Sequence, residues 1–225
     1  MNYDSFLRIS IHECRKSEGV PKNTFFRLRD EKQEGVLRAA IHEFTEHGFE
    51  RTKIGDIAKR AGVATGSIYQ YFEDKKALFV YCAEWSLGVF MKKLDTRSDV
   101  KNMDIYEYFQ DSVSNAEVIA EERDLAIFLQ TLSREPGLMD ASMKAMYDVS
   151  KNYIKALIQN SKDKGLVRTD IDSEILTEYF IAVTERFRMR WVEQNVDFLD
   201  MDVQKQGIQK EIGQMLELLK KGMGG

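Results

Sequence analysis

Between Thr65 and Lys75 the sequence gathers groups suited to a polyanion whose edges can be read. Thr65 and Gln70 carry side chains that hydrogen-bond base edges, and a glutamine amide can meet adenine in bidentate fashion. Tyr69 and Tyr71 join a flat apolar body to a hydroxyl that reaches phosphate oxygens, and Ser67 adds a further hydroxyl. Lys75 contributes a cation in the first turn of a following helix, where backbone N–H groups also favour an anion. Catalytic chemistry lacks its parts. The histidines are His12, His42 and His47, the cysteines are Cys14 and Cys82, and no serine or cysteine nucleophile sits in a recognisable motif. His12 and Cys14 are half of a metal site without a third or fourth ligand at suitable spacing. The expectation is no catalytic residue, no metal, no cofactor and no enzyme, with two idle thiols rather than a disulfide framework.

A short reading helix needs a partner to hold it. Thr52 opens a helix through Ile54, Ile57, Ala58 and Ala61, which Gly62 stops, and Val63 and Ala64 link it to a helix over Thr65 to Tyr71. Two short helices joined by a glycine-containing turn have the geometry that lets the second enter the major groove. Ala58 is small where the helices cross, and Val63 and Ile68 can pack beneath the second. On these residues alone, a short helix with two tyrosines that merely packs against its neighbours stays an equal reading. Upstream, Asp30 and Gln33 form a capping box for a helix carrying Leu37, Ala40, Ile41 and Phe44, ended by Gly48 with Phe49 folding back. Downstream, Asp74 caps a long helix with a stripe of Leu78, Cys82, Trp85 and Val89.

The run from Gln33 to Phe79, and above all GVATGSIYQYFEDKKALF, resembles the N-terminal domain of the TetR family of transcriptional regulators. The resemblance implies that Thr65, Gly66, Ser67, Tyr69, Gln70 and Tyr71 lie on a DNA-recognition helix. It implies phosphate contacts from Tyr69, Tyr71 and Lys75, base contacts from Thr65 and Gln70, and a backbone grip from Thr52 and Lys53 at the start of the supporting helix. Ala64 stands where members often have serine, so Thr65 is expected to take over the cap. Gly55 replaces a basic residue of some members, which puts a base contact from the supporting helix in doubt. VPKNTFFRL resembles the usual beginning of such a protein, so residues 1–19 read as an extension from an upstream start that adds little to the core.

The remaining chain reads as helices over about 104–119, 121–133, 138–164, 173–195 and 203–221, with a break at Pro136-Gly137 and a link through Leu166 to Ile171. The fold expected is all-α, with about nine helices in two groups. The domains expected are an extension over 1–19, a helix-turn-helix DNA-binding domain over 20–73 and a helical effector-binding and dimerisation domain over 74–225. The family builds a small-molecule pocket in that body, and Trp85, Phe109, Phe128, Tyr147, Phe180 and Arg186 are the candidate lining residues, although core packing explains any one aromatic as well. An apolar or aromatic effector is favoured. The last two helices resemble the pair that forms the family dimer, with Phe187, Trp191, Ile208, Ile212, Met215 and Leu219 as candidate seam residues. One short helix reads few base pairs, so a homodimer on a palindromic operator in double-stranded DNA follows, its reading helices about 34 to 36 Å apart. An effector that resets the long helix after Asp74 would release the DNA, as a repressor requires. The alternative is a DNA-binding protein that acts through protein partners without a ligand.

The net charge of −4 divides into about +2 over residues 1–80 and about −6 beyond, a mildly basic head on an acidic body. No apolar run of about 18 residues spans a bilayer, and the opening residues lack a secretory pattern, so no membrane partner and a cytoplasmic location are expected.

Overall fold

The computed structural model describes residues 19–97, 103–114, 121–193 and 201–224, without the side chains of 94–97, 112–114, 188–189, 191–193 and 201–209. The described residues form ten α-helices. They are α1 (Asn23–Phe26), α2 (Asp30–Arg51), α3 (Ile54–Arg60), α4 (Thr65–Tyr71), α5 (Lys75–Arg97), α6 (Ile105–Ser114), α7 (Arg123–Thr131), α8 (Pro136–Asp163), α9 (Ser173–Glu193) and α10 (Met201–Met223). A 3-10 turn at Leu132–Arg134 joins α7 to α8, which starts on Pro136 itself, two residues before the start expected after a Pro136-Gly137 break. The fold is all-α, and the helix not foreseen is the single turn α1. Among the described residues no helix is long and apolar enough to cross a membrane.

Two compact units divide the chain. One holds the residues up to Phe90 with Glu122–Val149, and the other holds Met91–Glu121 with Ser150–Gly225. The boundaries fall at 90/91 within α5, at 121/122 before α7 and at 149/150 within α8.

The first unit is built around five fully buried phenylalanines, Phe25, Phe44, Phe72, Phe79 and Phe128. Phe79 meets Phe44 at 4.9 Å and Phe128 at 5.2 Å, both edge to face. Such pairs add about 0.5–1.5 kcal/mol beyond area burial. α2 lies along α7, and the polar edge of that contact is Arg38, which bonds Glu34 at 2.7 Å, Glu122 at 2.9 Å and Asp124 at 3.0 Å. Its guanidinium also sits 5.5 Å from the Trp85 ring.

Gly48 breaks α2 with φ +72, a conformation in which a side chain is strained. Phe49 then turns back onto Phe44, as expected, with ring centroids 6.0 Å apart. The Phe49 N–H freed by this break donates to the Glu135 carboxylate at 2.9 Å. The expected capping box does not form. Arg29 occupies the cap position, Asp30 lies within the first turn, and the Gln33 amide donates instead to the Leu28 carbonyl at 2.9 Å. The turn that closes α1, Leu28 N–H to Phe25 O at 3.0 Å, brings that carbonyl within reach. Gly19, assigned from sequence to a loose extension, is buried: at φ +115 an added Cβ would come within 2.7 Å of Val80 Cγ1 on α5. Residues 1–18, including His12 and Cys14, lie outside the described residues.

In the second unit Phe109 and Phe180 pack edge to face at 5.7 Å. The Ser161 hydroxyl accepts from Ile105 N–H at 2.9 Å and donates to Leu157 O at 2.7 Å, fixing the start of α6 on α8. The link before α9 pairs with the chain end through an antiparallel bridge of Val167 with Gly224. Asp172 caps α9, accepting from Glu174 N–H at 2.7 Å.

Candidate nucleic-acid interface

The α3–α4 turn follows from a few residues. Val63 N–H donates to Ala58 O at 3.0 Å and Gly62 N–H to Lys59 O at 3.3 Å, the paired bonds of a helix end closed through a left-handed residue. Gly62 supplies that residue at φ +65, with open space around it, so backbone conformation alone requires glycine. Ile57, Ala58 and Ile68 are buried between the two helices, and Val63 packs against the same core. Ala64 is the N-cap of α4 and makes no side-chain cap, while Thr65 is already helical and does not replace it.

With Ile68 and Tyr71 inward, α4 turns Thr65, Gly66, Tyr69 and Gln70 to the surface, and Ser67 is partly exposed. Tyr69 is 51% exposed, unusual for a large aromatic. Lys53 is exposed at the start of α3, beside this face in sequence and element order. The supporting and reading helices also approach at their starts, since an added Cβ on Gly55 would lie 3.9 Å from Thr65 Oγ1.

Three residues expected to grip DNA are engaged inside the protein. Thr52 is buried, its hydroxyl 2.8 Å from Gly48 O and 2.9 Å from Glu43 O, so it closes the end of α2 rather than opening α3. Tyr71 is 8% exposed, its ring 5.9 Å from Phe25. The Lys75 ammonium donates to Phe49 O at 2.7 Å, Thr52 O at 3.1 Å and Glu50 O at 3.2 Å, and lies 4.4 Å from the Phe49 ring centre. The internal bonds of Thr52 and Lys75 have one cause. The break at Gly48 leaves carbonyls at the end of α2 without helical partners, and nearby polar side chains satisfy them.

The candidate effector residues fall into both units. In the first, Phe128 is a core ring against Phe79 and Phe44, Trp85 packs at the core edge under Arg38, and Tyr147 is partly buried. In the second, Phe109 and Phe180 face each other, while Arg186 is exposed. A groove of about 390 Å³ opens on the first unit, lined by Ala39, Ile41 and Ile127 together with Arg38, Arg60 and Asp124, and none of the candidate effector residues lines it. Cys82 is fully buried, and burial pushes its thiol up, away from a reactive thiolate. Among the described residues no group of three His, Cys, Asp or Glu side chains could hold a metal ion.

The expected seam residues are placed as follows. Ile212, Met215 and Leu219 are buried within the chain itself, and Phe187 is partly buried beneath the Arg190 guanidinium at 4.9 Å. The side chains of Trp191 and Ile208 lie outside the described residues. Among the described residues of the last two helices, the exposed large apolar side chains are Ile175, Tyr179 and Leu218, at 62%, 42% and 63% exposure. Tyr179 joins the two helices, its hydroxyl 3.2 Å from where a Cβ on Gly222 would stand.

Residues 36–82 match the family described as bacterial regulatory proteins, tetR family. The chain is 23% identical over 198 residues to the fatty acid metabolism regulator protein of Bacillus subtilis, covering 84% of this chain and 93% of that one. Its fold matches the fatty acid degradation regulator FadR of Bacillus halodurans with a TM-score of 0.60 at 21% identity, over 86% of this chain and 96% of the other. It also matches FadR of Bacillus subtilis, solved with stearoyl-CoA, with a TM-score of 0.55 at 21% identity, over 84% and 98%. The matched segment runs from the first core residues of α2 through α3, α4 and the start of α5, the elements that build and support the outward face of α4. Residues 36–82 are therefore a DNA-binding segment of the TetR type, in a chain that has the fold of such regulators.

Proposed function

We propose that this protein is a cytoplasmic repressor that binds a palindromic operator as a homodimer and lets go when a small apolar or aromatic effector binds. The observation that carries the reading is the outward face of α4, where Thr65, Tyr69 and Gln70 stand exposed over a buried Ile68. Lys53, Gly66 and Ser67 complete that face, with Gln70 and Thr65 reading bases and Tyr69 and Lys53 meeting phosphates. Thr52, Tyr71 and Lys75 act beneath it as the frame.

Residues 20–73 serve as the reading head and residues 74–225 as the regulatory body. The exposed stripe of Ile175, Tyr179 and Leu218 supplies the seam for a second copy, because apolar side chains at such exposure favour burial. Signal reaches the head through the first unit. Arg38 bonds Glu122 and Asp124, and Phe49 N–H bonds Glu135, so any shift of α7 and the start of α8 pulls on the middle of α2 and on its C-terminal end. The fatty-acid regulators among the relatives make a long acyl chain the first effector to try.

The test is binding of the full chain to the DNA upstream of its own gene, with and without stearoyl-CoA and small aromatic compounds. Saturable binding weakened by one of them supports the proposal. Binding that none of them weakens favours a ligand-independent regulator working through protein partners, and no preference for that DNA over a mixed-sequence duplex rejects operator binding there.

A further inference from the structure

A seven-residue helix has no stability of its own in water, so the setting of α4 depends on what holds its two ends. The turn at Gly62 holds the first. At the other end the last carbonyls of the helix point out of it without helical partners. A stretch far away in sequence takes three of them. Lys22 N–H donates to Tyr71 O at 2.7 Å, the Lys22 ammonium donates to Tyr69 O at 3.1 Å, and the Thr24 hydroxyl donates to Gln70 O. The same ammonium pairs with Glu73, just beyond the helix, at 2.9 Å.

That stretch is itself fixed. Pro21 is buried, Gly19 presses on Val80, and Phe25 has no exposed surface, its ring 5.0 Å from Phe72 and 5.8 Å from Tyr81. The three carbonyls belong to the turn that carries Tyr69 and Gln70, two of the outward groups. A shift at this end moves those side chains directly.

We infer that Lys22 and Thr24 are positioning residues for operator reading, which set the orientation of α4 through its terminal carbonyls without contacting bases. The inference rests on α4 being the DNA-reading helix. Lys22 has a rival role, because its side chain is 41% exposed and a cation there could neutralise a phosphate. The two roles differ in salt dependence: a lost phosphate contact lowers the slope of log affinity against log salt by about 1, and a lost positioning contact does not.

The experiment uses the full chain, a duplex recovered by the natural protein from a random-sequence pool, and a mixed-sequence duplex as the non-specific probe. Thr24→Val should weaken the recovered duplex by about threefold to tenfold, leave the mixed duplex nearly unchanged, and keep the salt slope. Thr24→Ser, which keeps the hydroxyl, should restore binding. Lys22→Met should likewise lower the ratio of specific to non-specific affinity at constant slope, with thermal melting recorded beside it. The inference is overturned if Thr24→Val leaves that ratio unchanged, or if Lys22→Met weakens both duplexes together with a slope smaller by about 1. If the natural chain recovers no preferred duplex, the DNA-reading role of α4 fails and takes this inference with it. If Lys22→Met does not fold, the two Thr24 variants decide the matter.

Discussion

Replacing Lys75 with methionine separates a structural lysine from a DNA-gripping one. The substitution keeps most of the stem and removes an ammonium that donates to three carbonyls at 2.7, 3.1 and 3.2 Å beside the Phe49 ring. A hydrogen bond to a charged group contributes about 1.5–3 kcal/mol, and a cation over a ring about 0.5–1 kcal/mol at an exposed site. One ammonium shared among three acceptors, and partly solvated, does not yield the sum, so the expected loss is about 2–4 kcal/mol. In a chain of this length that corresponds to roughly 5–10 °C in melting temperature. The assay pairs thermal and urea unfolding with the salt dependence of DNA binding. The natural chain and Lys75→Met should differ in stability and share one salt slope. Unchanged unfolding together with a slope reduced by about 1 would refute the structural role and make Lys75 a phosphate contact.

Three further outcomes are open to measurement. Gln70→Ala should relax preference at one base pair of the recovered duplex by about 1–3 kcal/mol while other positions keep theirs; an unaltered preference profile removes Gln70 from base reading. Leu218→Glu sets a charge in the exposed stripe beside Tyr179, so sedimentation should give monomers where the natural chain gives dimers, and dimers from the variant would move the seam elsewhere. In the first unit, burial and then the charge of Asp148 push the Glu84 carboxyl up to about 8 from 4.5. The folded chain holds that proton to higher pH than the unfolded chain, so stability falls as pH rises through that window, by up to about 1.4 kcal/mol per unit. Glu84→Gln removes this loss, and the variant should gain on the natural chain between about pH 5 and about pH 8; parallel curves contradict the buried-carboxyl reading.

Local signals carried most of the fold. Gly48, Gly62, Asp74 and Pro136 act within a few residues of themselves, Gly48 at a break within α2 and the others at helix ends. On α4 the exposure of Thr65, Tyr69 and Gln70 follows from a buried Ile68, whereas Tyr71, read with them, is buried against the distant Phe25. Long-range polar contacts were not legible. Thr52, Lys75 and Gln33 all satisfy carbonyls freed by turns whose shape no short window reveals. Lys22 and Thr24 meet α4 across 47 and 46 residues. The body misled in another way. Helical periodicity marks Ile212, Met215 and Leu219 as an apolar row, but the same row serves a chain's own core or a partner, and here it is buried within the chain. Phe128 has the same ambiguity, since an aromatic at core spacing fits a pocket wall and a packed core equally well.

The most direct measurement of the central claim is a chemical footprint of the full chain on its recovered duplex. Two reading helices in a dimer predict two protected major-groove patches on one face of the DNA, about 10 base pairs apart, with protection lost at matching bases in both patches when Gln70 is replaced by alanine. A single patch, or protection that Gln70→Ala leaves intact, would contradict a symmetric pair of α4 helices as the reader.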